Sequence, residues 1–322
     1  MDKNKEIDFI DEKLLEDEII TRIKNVSKLK NINEKFIENL KNIGIHPCYS
    51  ETAHFKYARI HLPVAPKCNI QCRYCKRDLN KVEYRPGVSS GIMKPQEALE
   101  HLEKCLKKIP ELKIVGVAGP GDALANEETF ETFELIKNKH PELHLCLATN
   151  GLLLPKYIDR LVELNVMNVT VTINTVDPKL FDKIYEFIIY NNKKYYKEEA
   201  GTILLENQLN GIKLTTEKGI LIRINTVLIP EINLNQIEKI SKTVSEYGAI
   251  LHNIIPLIPI YQFKNHRRPT KQEMHKAREL SEKYLPQFRL CKLCRADAVG
   301  IPGREKHGIK CDESPIFVRF HG

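Results

Sequence analysis

The sequence predicts an α/β protein, a partial (βα)6 barrel flanked by N- and C-terminal extensions. Two observations carry this prediction. From about Lys56 to Tyr284, short β-branched runs alternate with longer segments of helical period, giving six such pairs. Each run also ends in Cys, Gly, Pro or Asn punctuation, as expected where strand ends open onto one common working face. A chain of 322 residues that is 42% hydrophobic can bury the core such a barrel needs.

The strands are expected at Ala58 to Ala65, Lys113 to Ala118, Leu143 to Thr149, Asn168 to Asn174, Leu221 to Ile229 and Ile250 to Leu257. Parallel strands joined by helices bury both sheet faces, and six consecutive units curve into an open barrel or most of a closed one. Helix starts are legible as well. Asn126 is placed to cap a first turn carrying Glu127 and Glu128, Pro155 and Pro178 fit first turns, and Thr270 with Glu273 forms a capping box. The stretch Ile189 to Gly201 breaks the alternation and reads as an excursion after the fourth strand and its helix, a hairpin or a lid. Residues 1–43 are expected to form an N-terminal helical extension, 44–303 the core with its flanks, and 304–322 a charged, Gly-rich tail.

With 29% charged residues and a mean hydropathy of -0.35, the chain reads as soluble. The longest nearly apolar stretch, Leu251 to Phe263, is interrupted by His252, Asn253, Pro256, Pro259 and Gln262 and falls short of the roughly 20 residues a span requires. The first twenty residues are acidic and carry no signal-peptide pattern, so a cytoplasmic setting is expected. A net charge of +8 is modest, and no basic-aromatic arrangement for stacking on bases is evident, so neither nucleic acid nor membrane is expected as a partner. Nine cysteines, an odd number at short spacings, read better as metal or cofactor ligands than as a disulfide framework.

The strongest chemical signal is Cys68, Cys72 and Cys75 in KCNIQCRYC, directly after the first strand. Three thiolates within eight residues can wrap one face of a [4Fe-4S] cluster and leave its fourth iron open to a small chelating molecule. This spacing resembles the radical S-adenosylmethionine (SAM) superfamily, in which that iron binds SAM. The competing readings are a zinc site, which ordinarily wants four ligands, and buried cysteines without function. After the second strand comes Gly119-Pro120-Gly121-Asp122, a SAM-contacting turn or plain turn chemistry. Beyond the triad lie His46 and Cys48 before the barrel, His61 in the first strand, Cys146 in the third, and Cys291 and Cys294 after the last helix. The Cys291–Cys294 pair is a redox dithiol or an auxiliary iron-sulfur site. His61 and Cys146 are either core residues or partners facing the lumen, and a one-residue change of register decides between these.

Taken together, HPCYSETAH, ARIHLPVAPKCNIQCRYCKR, RPG, GVAGPGDALAN, LATNG, TVTIN, NIIPLIP and FRLCKLCRADAVG resemble the NifB family, over about His46 to Gly300. The resemblance implies a radical SAM partial TIM barrel whose extensions carry extra cluster ligands. It implies that two further [4Fe-4S] clusters are fused with an added sulfur and a SAM-derived carbide into an [8Fe-9S-C] nitrogenase cofactor precursor. It makes Cys68, Cys72 and Cys75 the SAM-cluster ligands, puts His61 and Cys146 on one substrate cluster, and puts Cys48, Cys291 and Cys294 on the other. Gly119, Gly121, Asp122, Asn150, Asn174 and Asn225 become candidates to position SAM, and Glu51 and Arg85 become candidate catalytic residues, with Asp297 a further polar candidate. For these polar positions, surface or turn roles are the alternative.

One departure from the family pattern stands out. Relatives carry a cysteine between the triad and the RPG turn, whereas Lys76 to Gly87 contains none, and Tyr84 occupies that region. A phenol is a poorer ligand for iron in a sulfide cluster than a thiolate, so the His61–Cys146 cluster is expected to be loosely held, with Cys311 as a candidate substitute ligand. Cys105 falls within a helical pattern and reads as packing. Implied partners are an iron-sulfur cluster donor, an electron donor such as ferredoxin, and a carrier or scaffold protein. The family has longer members with a carrier-like C-terminal domain that the short tail does not accommodate. Two other functions remain open at this level: a radical SAM enzyme modifying a peptide or RNA, and a non-catalytic cluster scaffold.

Overall fold

The computed structural model describes residues 33–302. Its main sheet contains six parallel strands, β1 (Ala58–His61), β2 (Leu112–Val117), β3 (His144–Thr149), β4 (Val166–Thr172), β5 (Leu221–Leu228) and β6 (Leu251–Pro256), arranged in chain order. A short β7 (Val299–Gly300) pairs antiparallel with the outer edge of β1. The sheet remains open, because β1 and β6 do not pair with each other. All six expected strands are present. The first stops at His61 rather than at Ala65, because Pro63 has no N–H to give the ladder; Ala65 meets the second unit again only as an isolated bridge to Pro120.

Among the described residues, the longer helices are α1 (Glu34–Asn42), α2 (Pro95–Lys108), α3 (Glu127–Lys139), α4 (Leu154–Glu163), α5 (Lys197–Glu217), α6 (Ile237–Glu246) and α7 (Lys271–Glu282). The six from α2 onward each follow one barrel strand. Their apolar stripes pack on the outer sheet face, where Leu102, Phe133, Leu161 and Ile240 meet Val115, Leu145, Val169 and Ile222 in one buried core. Among the described residues, no helix is long and apolar enough to cross a membrane. The α7 capping box forms as expected: Glu273 N donates to Thr270 Oγ1 at 3.1 Å, and Thr270 N donates to Glu273 Oε2 at 2.8 Å. Asn126 stands at the α3 N-cap, yet its side chain makes no capping bond and is committed elsewhere.

The excursion is a hairpin, Tyr185–Tyr190 with Lys193–Tyr195, reversing through Asn191 and Asn192 at φ 49° and 60°. Asparagine tolerates this left-handed region better than most residues. The hairpin begins earlier than expected, and α5 starts at Lys197, inside the stretch read as irregular. Gly201 explains the close seat of α5: a Cβ there would lie 2.6 Å from Pro178 O. The hairpin pairs antiparallel with Ile70–Cys72 and so buttresses the cysteine loop.

Two flanking segments complete the half-barrel. Phe36, Leu40, Ile43 and Tyr49, from α1 and the segment after it, pack against Ile114, Leu221, Leu251 and Phe288. The chain after α7 then runs from one sheet edge to the other. Phe288 N donates to His252 O of β6 at 3.0 Å, and His61 N of β1 donates to Ala298 O at 2.8 Å. This strap carries Cys291 and Cys294. Of the expected N-terminal extension only its last part is described, and the 304–322 tail lies outside the described residues.

Candidate iron-sulfur and cofactor site

Cys68, Cys72 and Cys75 lie on the loop leaving β1, and that loop is held from both sides. Gly121 N donates to Ala65 O at 2.7 Å and Asp122 N to Lys67 O at 2.9 Å. Asn126 accepts from Lys67 N at 3.0 Å and donates to Lys67 O at 2.9 Å, which is where its expected capping capacity has gone. Gly121 approaches so closely that a Cβ would lie 2.1 Å from Lys67 O, and Gly119 has φ +124°, so both turn glycines are sterically required. From the other side, Gln71 Nε2 donates to the carbonyls of Cys72 and Cys75, each at 3.1 Å.

All three thiols are free, and they lie close enough to act on one another. Burial pushes Cys68 up to about 12, with Asp122 adding to the effect. Burial also raises Cys72, helped by Cys75 and Cys68, and raises Cys75 against the pull of Arg77 and Arg85. Such thiols ionise together only when a metal holds them as thiolates. Beside them the buried Nδ2 of Asn69 has no partner. Three crowded free thiols and an orphaned donor fit a [4Fe-4S] cluster with a chelating ligand. Among the described residues, no three His, Cys, Asp or Glu side chains gather as for a single metal ion.

The polar candidates are mostly spent on the scaffold. Asp122 is buried and accepts from Asn150 N at 2.6 Å, Thr149 Oγ1 at 3.0 Å and Leu124 N at 2.9 Å, tying the end of β2 to that of β3. Burial pushes its pKa up to about 6. Asn150 Nδ2 donates to Asn69 Oδ1 at 2.6 Å, reaching the residue after Cys68. Asn174 is fully buried, donates to Tyr74 Oη at 2.7 Å and Tyr185 Oη at 3.0 Å, and accepts from Val227 N at 2.8 Å. Asn225 Oδ1 accepts from Arg223 Nε at 3.3 Å. Arg85 is buried, donating to Lys76 O at 2.6 Å and pairing with Glu83 at 3.0 Å, and so braces the turn after Cys75. Glu51 lies exposed at the start of the short helix Glu51–His54. Asp297 pairs with Arg295 at 2.8 Å and accepts from Ser90 N at 2.7 Å.

Two residues escaped the sequence reading. Tyr74, inside the triad itself, is the half-buried phenol that Asn174 holds, and its place in CRYC was the available signal. Gln208 donates to Asn150 O at 2.8 Å and Thr172 O at 3.0 Å from the middle of α5, where nothing in the sequence marks it.

The remaining ligand candidates converge in the lumen. His61, Gly116 and Cys146 share one register row across β1, β2 and β3. A Cβ on Gly116 would lie 3.0 Å from Cys146 Sγ and 3.3 Å from His61 Cδ2, so the imidazole and the thiol meet over a glycine. His61 Nδ1 lies 3.0 Å from Arg295 O; donation to that carbonyl leaves the Nε2 lone pair for a metal. Burial, with Arg59, pulls the His61 pKa down to about 4, keeping the ring neutral. The guanidinium of Arg295 also covers the half-buried Tyr84 ring at 5.6 Å, so Tyr84 belongs to the same neighbourhood.

Cys48, Cys291 and Cys294 form the other set, drawn from the N-terminal segment and the strap. Burial raises the Cys48 thiol against the pull of Arg223, and Cys294 and Cys291 raise it further. Cys48 in turn adds to the burial that raises Cys146, so the two sets adjoin. Cys105 packs in the outer core but is also disulfide-bonded, which the sequence reading did not anticipate, and Cys311 lies outside the described residues.

The Radical SAM superfamily matches residues 62–244. The chain is 50% identical over 274 residues to the FeMo cofactor biosynthesis protein NifB of Methanocaldococcus jannaschii, covering 84% of this chain and 90% of that one. Its counterpart in Methanocaldococcus infernus is 51% identical over 267 residues, covering 82% and 88%. NifB of Bradyrhizobium diazoefficiens is 45% identical over 292 residues, which is 88% of this chain and 58% of that longer one. The crystal structure of methylornithine synthase (PylB) shares the fold alone, with a TM-score of 0.50 and 11% identity over 85% of this chain and 78% of that one. With half of its residues shared along most of two Methanocaldococcus relatives, and a Radical SAM superfamily match over residues 62–244, the chain belongs to the NifB family of radical SAM enzymes.

Proposed function

We propose that the chain acts in FeMo cofactor biosynthesis by fusing two [4Fe-4S] substrate clusters, with an added sulfur and a carbide from a SAM methyl group, into an [8Fe-9S-C] precursor. The observation that carries this reading is the meeting of two further ligand sets, His61–Cys146 and Cys48–Cys291–Cys294, inside one half-barrel whose rim bears the Cys68–Cys72–Cys75 loop. When bound, the resident cluster on Cys68, Cys72 and Cys75 together with SAM supplies one-electron radical chemistry and a transferable methyl group.

The chain's own residues supply placement and release. Gly121 and Asn126 fix the loop against the end of β2, so the reacting centre keeps one position relative to the lumen. Neutral His61 donates less charge to iron than a thiolate and releases it more readily, which suits a substrate that must leave. The apolar packing of Tyr49, Ile114, Leu221 and Phe288 keeps water from the base of the lumen. Residues 44–303 act as one unit in this reading, in a cytoplasmic setting. A cluster donor, an electron donor such as ferredoxin, and a carrier protein complete the cycle.

The test is anaerobic reconstitution of the chain followed by iron counting and product analysis with SAM. About twelve irons per chain are expected for three [4Fe-4S] clusters. Both S-adenosylhomocysteine and 5'-deoxyadenosine are expected as products. A chain that saturates near about four irons and forms no S-adenosylhomocysteine would overturn the fusion mechanism.

A further inference from the structure

Arg59 of β1 and Arg223 of β5 are each 5% exposed and stand among the ligands of the Cys48–Cys291–Cys294 set. Arg59 donates to Gly300 O at 2.6 Å and to Cys294 Sγ at 2.9 Å, and its buried Nε has no partner. Arg223 donates to Cys48 O at 2.7 Å and to Asn225 Oδ1 at 3.2 Å, while its guanidinium lies 5.7 Å from the Tyr49 ring centre and 5.4 Å from that of Phe288. Among the described residues, two other arginines are comparably buried, and both have carboxylates: Arg85 pairs with Glu83 and Arg295 with Asp297. Among the described residues, Arg59 and Arg223 make no such ion pair.

A guanidinium stays charged at any accessible pH, and a buried charge without a counter-charge is costly. The nearest groups able to carry negative charge are thiols: Cys294 Sγ accepts from Arg59 at 2.9 Å, and Arg223 donates to the backbone carbonyl of Cys48 rather than to a carboxylate. A [4Fe-4S] core held by three thiolates is anionic in both of its common oxidation levels, and more so when reduced.

Resting on the reading that Cys48, Cys291 and Cys294 hold a cluster, we propose that Arg59 and Arg223 are its fixed counter-charge, retaining the anionic cluster and raising its reduction potential. The same two charges then burden the empty chain. Removing one has opposite consequences in the two states: a more stable empty chain, and a weaker, harder-to-reduce cluster.

The experiment compares the whole parent chain with Arg59→Met, Arg223→Met, Arg59→Lys and Arg223→Lys. Melting temperature is measured before anaerobic reconstitution, and chelator-resistant iron and the cluster potentials afterwards. The Met variants should melt at or above the parental temperature when empty. Once loaded, they should lose about four irons per chain to chelator at least tenfold faster than the parent, with one cluster potential moved to a more negative value. The Lys variants should recover most of the potential, because they keep the charge. Met variants with parental iron retention and parental potentials would overturn the inference, as would Met variants that melt lower when empty and lose iron only for that reason. A parent chain that binds only about four irons would instead sink the fusion reading, and this inference with it.

Discussion

Single residues carry the local chemistry through what they lack as much as through what they offer. Gly116 has no side chain, and His61 and Cys146 occupy the space a Cβ would need. Gly116→Ala should therefore fold with a melting temperature within a few degrees of the parent, because the nearest atoms are side chains able to shift by tenths of an ångström. It should nonetheless lose selectively the iron attributed to the His61–Cys146 pair, read as a drop of up to about four irons after reconstitution. Full iron content in this variant would show that the pair does not act together. The triad and the turn glycines were readable because spacing and backbone freedom are local properties. Asp122 and Asn174 were not readable in role: a polar residue at a strand end looks the same whether it faces a ligand or clamps its neighbour, and here both act as clamps.

At the scale of elements, the half-barrel depends on polar ties between strand ends. Asn174, just past β4, joins Tyr74 of the cysteine loop, Tyr185 of the hairpin and Val227 of β5. Asn174→Ala leaves the buried phenol of Tyr185, the half-buried phenol of Tyr74 and one backbone N–H without that partner. At about 1–3 kcal/mol for each buried group left unsatisfied, partly relieved by relaxation, a loss of about 2–4 kcal/mol is expected from denaturant unfolding. A loss below about 1 kcal/mol would mean that the three elements are held by apolar packing instead. The strands were legible because β-branched runs report their own period, whereas the start of α5 was not, since its first turn reads as polar loop and its fit rests on Gly201 meeting Pro178 and Phe181.

Across the whole molecule, buried titrating groups act on stability with opposite signs. Burial raises Asp122 from 3.8 to about 6, so the stability it contributes is present below pH 4 and lost as pH rises through 6. Burial, with Arg223 adding, lowers His252 from 6.5 to about 3, so its contribution is present above pH 6.5 and lost as pH falls through 3. His252 can remain neutral because Ser241, Ser281 and Thr226 hydroxyls satisfy both ring nitrogens. Asp122→Asn removes only the first effect. Its stability relative to the parent should therefore rise by up to about 3 kcal/mol between pH 4 and pH 6 and level off above that, as followed by denaturant unfolding at several pH values. A difference independent of pH would mean that Asp122 titrates as an ordinary carboxylate.

The sequence by itself determined the six strand–helix units, the Cys68–Cys72–Cys75 loop and the glycines that seat it, because hydrophobic period, ligand spacing and turn sterics act between residues near one another in the chain. Only the tertiary structure decided that His61 and Cys146 share a row over Gly116, since one residue of register would have turned either away from the lumen. Likewise, Cys48 and the strap cysteines come together around Arg59 and Arg223 only because the chain closes across both edges of an open sheet. That closure is set by unpaired strand edges and an uncovered apolar base, and these exist only once the half-barrel has formed.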